Sequence, residues 1–272
     1  MRTIVHLSDI HFGAVDERLK APLVRAVHEQ RPDLVVVSGD LTERGRRGEF
    51  REAREFLLSL PGPQIVVPGN HDVPIYHPIE RLLHPMGRFR RFISSERLPF
   101  FEDDEIAAIG INTARATKTK YGHISRWQLA MIQDMLRPVP NDRIKIVVTH
   151  HPFDVPDGYR KTRQIVGRAW RAMKVLSECG ADLFLAGHLH RIHAGLTAER
   201  YKIEDYSALV IQAGTATLFN GSQELNSFNV IHCERPTMKV NRVMWNDSTN
   251  QFEHRDEENF RHGEQGWSRA IE

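Results

Sequence analysis

Two β-sheets packed face to face with helices outside is the architecture that this 272-residue sequence predicts. Three observations carry that prediction. Through the first two thirds of the chain, short β-branched runs alternate with amphipathic stretches, the pattern of an α/β protein. One of those runs, Leu34-Val35-Val36-Val37, is apolar throughout, as a strand covered on both faces must be. Beyond Ile192 the apolar runs succeed one another without helices between them, so that part is expected to be antiparallel.

Residues 3–8 read as the first strand. Leu19, Leu23 and Val27 then recur at helical spacing, and residues 34–37 form the second strand. Phe50, Ala53, Leu57 and Leu60 make a second helical stripe, closed by Pro61-Gly62-Pro63 ahead of a strand at 64–67. Residues 73–101 carry Pro74, Pro78, Pro85 and Pro99 with the basic run Arg88, Arg90 and Arg91, and read as an inserted loop-and-helix segment. Ser125 and Gln128 form a capping box ahead of Leu129, Ile132 and Leu136. A strand at 144–149 follows, then a helix faced by Val166, Ala169, Trp170, Met173 and Leu176 that Gly180 can end. Strands at 183–186, 209–213, 228–233 and 240–245 complete the expectation. Residues 1–252 are expected to form one domain, and 253–272, polar and charged, a loose tail.

Composition excludes several classes. Forty per cent hydrophobic and 26% charged residues are globular values, far from a disordered or fibrous chain. A formal charge of +2 is too balanced to point to nucleic acid or an anionic membrane. No apolar run nears the roughly 18 residues of a membrane span, and the first residues reach Asp9 before an apolar signal region develops. Two distant cysteines, Cys179 and Cys233, fit reduced thiols in the cytoplasm. The unusual count is 15 histidines.

Their positions are informative. Asp9 and His11 follow the first predicted strand, Gly39-Asp40 the second, and Gly69-Asn70-His71-Asp72 the third. His150-His151-Pro152 follows the strand at 144–149, and Gly187-His188-Leu189-His190 the one at 183–186. Ligands of open α/β sheets bind at the carboxyl ends of strands, so five loops would bring these residues to one crevice. Residues i and i+2 of an extended segment face alike, which would pair Asp9 with His11 and His188 with His190. The glycines would let the loops turn without a Cβ clash. Asp9, His11, Asp40, Asn70, His150, His188 and His190 offer seven donors, enough for two cations sharing one carboxylate. Oxygen and nitrogen donors without thiolate suit Mn²⁺, Fe or Zn²⁺.

These blocks resemble those of the calcineurin-like metallophosphoesterases. Gly122-His123-Ile124-Ser125, Ala213-Gly214-Thr215-Ala216-Thr217 and Asn226-Ser227-Phe228-Asn229 extend the resemblance to the bacterial class III cyclic-nucleotide phosphodiesterases. The resemblance implies a four-layered α/β/β/α sandwich of two mixed sheets flanked by helices. It implies that Asp9, His11 and His190 hold one metal, that Asn70, His150 and His188 hold the other, and that Asp40 bridges. It also implies a homodimer, formed through the 73–101 insert or the C-terminal strands.

Two cations about 3.5–4 Å apart can share a hydroxide and clamp phosphoryl oxygens, so in-line attack on a phosphodiester is the expected chemistry. His71 is expected to stabilise the equatorial charge and protonate the leaving oxygen, and Asp72, by the resemblance, to accept a hydrogen bond from His71 and fix its tautomer. Small phosphodiesters, 3′,5′-cyclic AMP among them, are the expected substrates. A pyrophosphatase acting on UDP-2,3-diacylglucosamine is the nearest rival, although those enzymes typically carry Arg where this chain has His71. A phosphomonoesterase and a metal-site binding scaffold are further alternatives. Arg44 and His151 are open between a substrate contact and a structural role, and the basic loop Tyr159-Arg160-Lys161-Thr162-Arg163 is a candidate lid.

Overall fold

Side chains alternate in direction along the strands, and that alternation builds the layers. The computed structural model describes residues 1–117, 120–156, 164–218 and 225–270. In chain order the elements are β1 (Arg2–Leu7), α1 (Glu17–Glu29), β2 (Leu34–Val37), α2 (Arg47–Ser59), β3 (Gln64–Val66), α3 (Pro78–Leu83) and α4 (Gly87–Phe92). Then come β4 (Phe100–Glu102), β5 (Ile106–Ile111), α5 (Arg126–Leu136), β6 (Ile144–Thr149), α6 (Ala169–Glu178), β7 (Leu183–Ala186) and β8 (His193–Leu196). The chain closes with α7 (Thr197–Tyr201), β9 (Leu209–Gln212), β10 (Ser227–Glu234), β11 (Thr237–Asn246), β12 (Gln251–Gly263) and β13 (Gly266–Arg269).

One sheet runs β13-β12-β11-β10-β1-β2-β3 and the other β4-β5-β6-β7-β9-β8. Both are mixed: β1, β2 and β3 are parallel, as are β5, β6, β7 and β9, while the flanking strands are antiparallel. Leu34 and Val36 of β2 face the core between the sheets, with Ile4, Ile106 and Ile146. Val35 and Val37 face the other way, onto Leu23, Val27, Phe50 and Phe56 of α1 and α2. On the far side, Ile109, Val147 and Phe184 meet Leu129, Ile132, Met173 and Leu176 of α5 and α6. Three apolar interfaces thus separate four layers, the expected sandwich.

The structure corrects several details. The C-terminal part is not wholly antiparallel, because β9 pairs parallel with β7. The helix expected to include Val166 begins at Ala169, and Trp170 on it is exposed. The larger correction is at 253–272: the described part of the expected tail is a β-hairpin. β12 pairs with β11 from Gln251 to Arg261, and β13 folds back onto β12. Apolar periodicity is nearly absent from β12, so it reads as solvated chain. Backbone pairing and cross-strand ion pairs hold it instead, such as Lys239 Nζ to Glu257 Oε1 at 2.9 Å. Phe260 and Trp267 anchor the hairpin in the core between the sheets. Trp267 also donates its indole N–H to Asp182 Oδ1 at 2.8 Å. Trp267→Ala is expected to destabilise the fold by about 3–5 kcal/mol, read as a lowered denaturant midpoint. An unchanged midpoint would show the hairpin to be peripheral.

The insert is fastened to the rest. Arg88 is buried, paired with Glu80, and donates to the Gly45 carbonyl at 2.7 Å. No described helix is long and apolar enough to cross a membrane.

Candidate metal centre

The strand ends deliver the polar residues to one place, but not by strand alternation. Asp9, His11, Asp40, His188 and His190 lie just past their strands, and all five have left-handed backbone, with φ from +51° to +73°. Non-glycine residues rarely adopt that region, which costs about 1–3 kcal/mol each and gathers at functional sites. The expected same-face pairing of extended residues is therefore replaced by local turns. Cross-bracing holds those turns: Asp9 N–H donates to Gly39 O and His11 N–H to Asp40 O, each at 3.0 Å. Gly187 is required for a different reason, since a Cβ there would lie 1.8 Å from Ser8 Oγ and 2.3 Å from Asp9 Oδ2.

Two clusters result. In the first, His190 Nε2 lies 3.2 Å from Asp9 Oδ1 and 3.2 Å from His11 Nε2. In the second, His150 Nε2 lies 3.1 Å from Asn70 Oδ1 and 3.2 Å from Asp40 Oδ2, with the His188 and His150 rings 5.1 Å apart. The same Asp40 Oδ2 is 4.0 Å from His11 Nε2 and so stands between the clusters. Asp40 Oδ1 is occupied by the His71 backbone N–H at 2.8 Å, which fixes the carboxylate plane. His150 is aimed by a 2.8 Å contact from Nδ1 to the Ser38 carbonyl, leaving Nε2 inward.

The residues fit divalent ions. Ligand atoms of Asp9, His11 and His190 lie within 4.8 Å of one another, as do those of Asp40, His150 and His188. His188 Nε2 is buried with no hydrogen-bond partner among the described residues, an expensive state that a cation would relieve. Burial opposes charge on His11, yet the Asp9 and Glu43 carboxylates push it up to about 10. His150, equally buried, is pushed up to about 9 by Asp40. Burial and neighbouring His150 instead push His188 down to about 4. A metal must displace the protons that His11 and His150 hold at pH 7. Loading is thus expected to release protons, and affinity to rise with pH up to the 9–10 region. Calorimetry in buffers of different ionisation heat reads the release, and pH-independent affinity would contradict it.

His71 and Asp72 differ from expectation. His71 Nδ1 lies 2.8 Å from the Glu43 carbonyl, so that carbonyl, not Asp72, fixes its tautomer. Asp72 is fully buried, and its oxygens accept from Gly69 N–H, Leu41 N–H, Thr42 N–H and the Thr42 hydroxyl. It ties the Asn70 loop to the Asp40 loop, and burial with nearby Asp40 pushes its carboxyl up to about 6. Glu43 was not singled out by the sequence. Its Oε2 lies 3.0 Å from His11 Nδ1 and 3.9 Å from His71 Nδ1. Its place three residues beyond Asp40 was the one available signal.

His151 packs beside the second cluster. It is buried, with Nδ1 2.8 Å from Thr113 Oγ1, and its ring lies 4.4 Å from that of His188. Arg44 lies over the Tyr76 ring at 5.8 Å. The loop Tyr159-Arg160-Lys161-Thr162-Arg163 lies outside the described residues.

The calcineurin-like phosphoesterase family model matches residues 2–191. The chain belongs to that family. Among curated relatives of this chain, a probable glycerophosphodiester phosphodiesterase of Arcobacter nitrofigilis is 28% identical over 169 residues, 61% of this chain and 59% of the relative. The chain therefore spans less than two thirds of that relative's length. A 3′,5′-cyclic-nucleotide phosphodiesterase of Nostoc sp. is 24% identical over 256 residues, 89% of this chain and 92% of the relative. A solved dimetal phosphatase of Danio rerio shares the fold of this chain, with a TM-score of 0.59 at 15% identity over 88% of this chain and 95% of the other.

Proposed function

We propose that this phosphoesterase hydrolyses a small phosphodiester at a two-metal centre, with 3′,5′-cyclic nucleotides such as cyclic AMP foremost among substrates. The observation that carries the reading is Asp40 Oδ2 standing between two donor clusters. Asp9, His11 and His190 would hold one ion, Asn70, His150 and His188 the other, and Asp40 both; Mn²⁺, Fe and Zn²⁺ suit the donors. When bound, such a pair supplies Lewis acidity and acidified water. The relative from Nostoc, matched over nearly its whole length, favours cyclic nucleotides.

His71 gives the leaving oxygen its proton. Its Nδ1–H donates to the Glu43 carbonyl, which leaves Nε2 for the substrate. Asp72 acts indirectly, by fixing the two loops that carry Asp40 and His71. Two buried free thiols, Cys179 and Cys233, support a reducing, cytoplasmic setting.

Turnover of Mn²⁺-loaded protein tests the reading. The panel is 3′,5′-cyclic AMP, 2′,3′-cyclic AMP, bis-p-nitrophenyl phosphate, a glycerophosphodiester and a nucleoside-diphosphate sugar lipid. Diester hydrolysis abolished by chelation and restored by Mn²⁺ is expected. Metal-loaded protein inert on all five would favour a binding scaffold.

A further inference from the structure

A cavity of about 380 Å³ opens between α4, the ends of β3 and β5, and the start of α5. It lies outside the ligand set, and its lining comes near that set along the chain. Pro68 on its rim is two residues from Asn70, and Asn112 and Ala114 flank Thr113, whose hydroxyl meets His151 at 2.8 Å. Three arginines line it, Arg90, Arg97 and Arg115, against one carboxylate, Glu96, with Phe89 and Trp127 as apolar wall.

Arg115 is the decisive group. It is half-buried, and its side chain makes no hydrogen bond or ion pair with a described residue. Burial and the like charge of Arg168 both disfavour its cation. A guanidinium taken from water beside another guanidinium is costly until an anion meets it. The planar fork of arginine matches phosphate oxygens two at a time. The volume suits a sugar-sized limb together with its phosphate.

We propose that this cavity is a second-phosphate subsite, so that the preferred substrate is a phosphodiester carrying a further phosphate on one limb. The proposal rests on the function given above. The scissile phosphorus sits at the metal centre, while the limb passes Asn112 and Ala114 and places its terminal phosphate on Arg115, with Arg90 and Arg97 completing the positive field.

The test compares thymidine 5′-(p-nitrophenyl phosphate) with the same compound bearing a 3′-phosphate. The 3′-phosphate is expected to lower KM about tenfold, the equivalent of one good charged contact. That ratio should fall towards one in Arg115→Gln and, separately, in Arg97→Gln. Equal KM values in the native enzyme, or a ratio untouched by both substitutions, would overturn the subsite. Inorganic phosphate titrated into metal-depleted protein supplies a readout independent of turnover. Heat of binding lost in Arg115→Gln but kept in His190→Ala supports the pocket, and no binding overturns it. Should neither diester be hydrolysed, the proposed function fails while this titration still decides the pocket.

Discussion

Asp40→Asn is expected to lower kcat on any diester by about a thousandfold or more, and to leave roughly one metal ion per chain in place of two. The side chain is almost wholly buried, and its two oxygens have separate tasks. Oδ1 accepts the His71 backbone N–H at 2.8 Å, and an amide oxygen can do the same. Oδ2 faces both His150 and His11, and an amide nitrogen there would present hydrogens where cations must sit. Shape and volume are conserved, but the metal-free protein loses the carboxylate that holds buried His150 charged, so its melting temperature at pH 7 should fall. Elemental analysis reads the metal count. Two tightly held ions with native turnover would remove Asp40 from the centre.

His71→Ala should lose about 10²- to 10⁴-fold in kcat on a diester with an alkoxide leaving group. On bis-p-nitrophenyl phosphate, whose leaving group needs no proton, the loss should be far smaller. Metal content should persist, because the His71 ring is not among the seven donors and only its backbone N–H touches Asp40. Equal losses on both substrates would assign the ring to charge stabilisation and take the proton from another source.

The donor set was legible because each member sits just after an apolar run, and a sheet necessarily gathers such positions at one edge. The layers were legible for a related reason, since Leu34-Val35-Val36-Val37 admits no solvent on either side. What the sequence concealed was whatever lacks a periodic signal. β12 is held by its partner strand and by pairs such as Lys239 with Glu257, and composition alone makes it resemble solvated chain. Glu43 gains its meaning from the neighbours the turn gives it, and no spacing rule announces a carboxylate 3.0 Å from His11. Asp72 resembled a partner for His71 because it is adjacent in sequence, yet the backbone turns its carboxylate towards Leu41 and Thr42. The left-handed turns at Asp9 and His188 are equally silent in the amino-acid string.

Those turns set stability against activity. A glycine would rest more comfortably at any of the five positions, so exchanging His190 for one removes a donor and relaxes the chain in the same stroke. The molecule therefore carries tension that only bound cations put to use, and sturdier versions of this fold lie in the direction of inert ones.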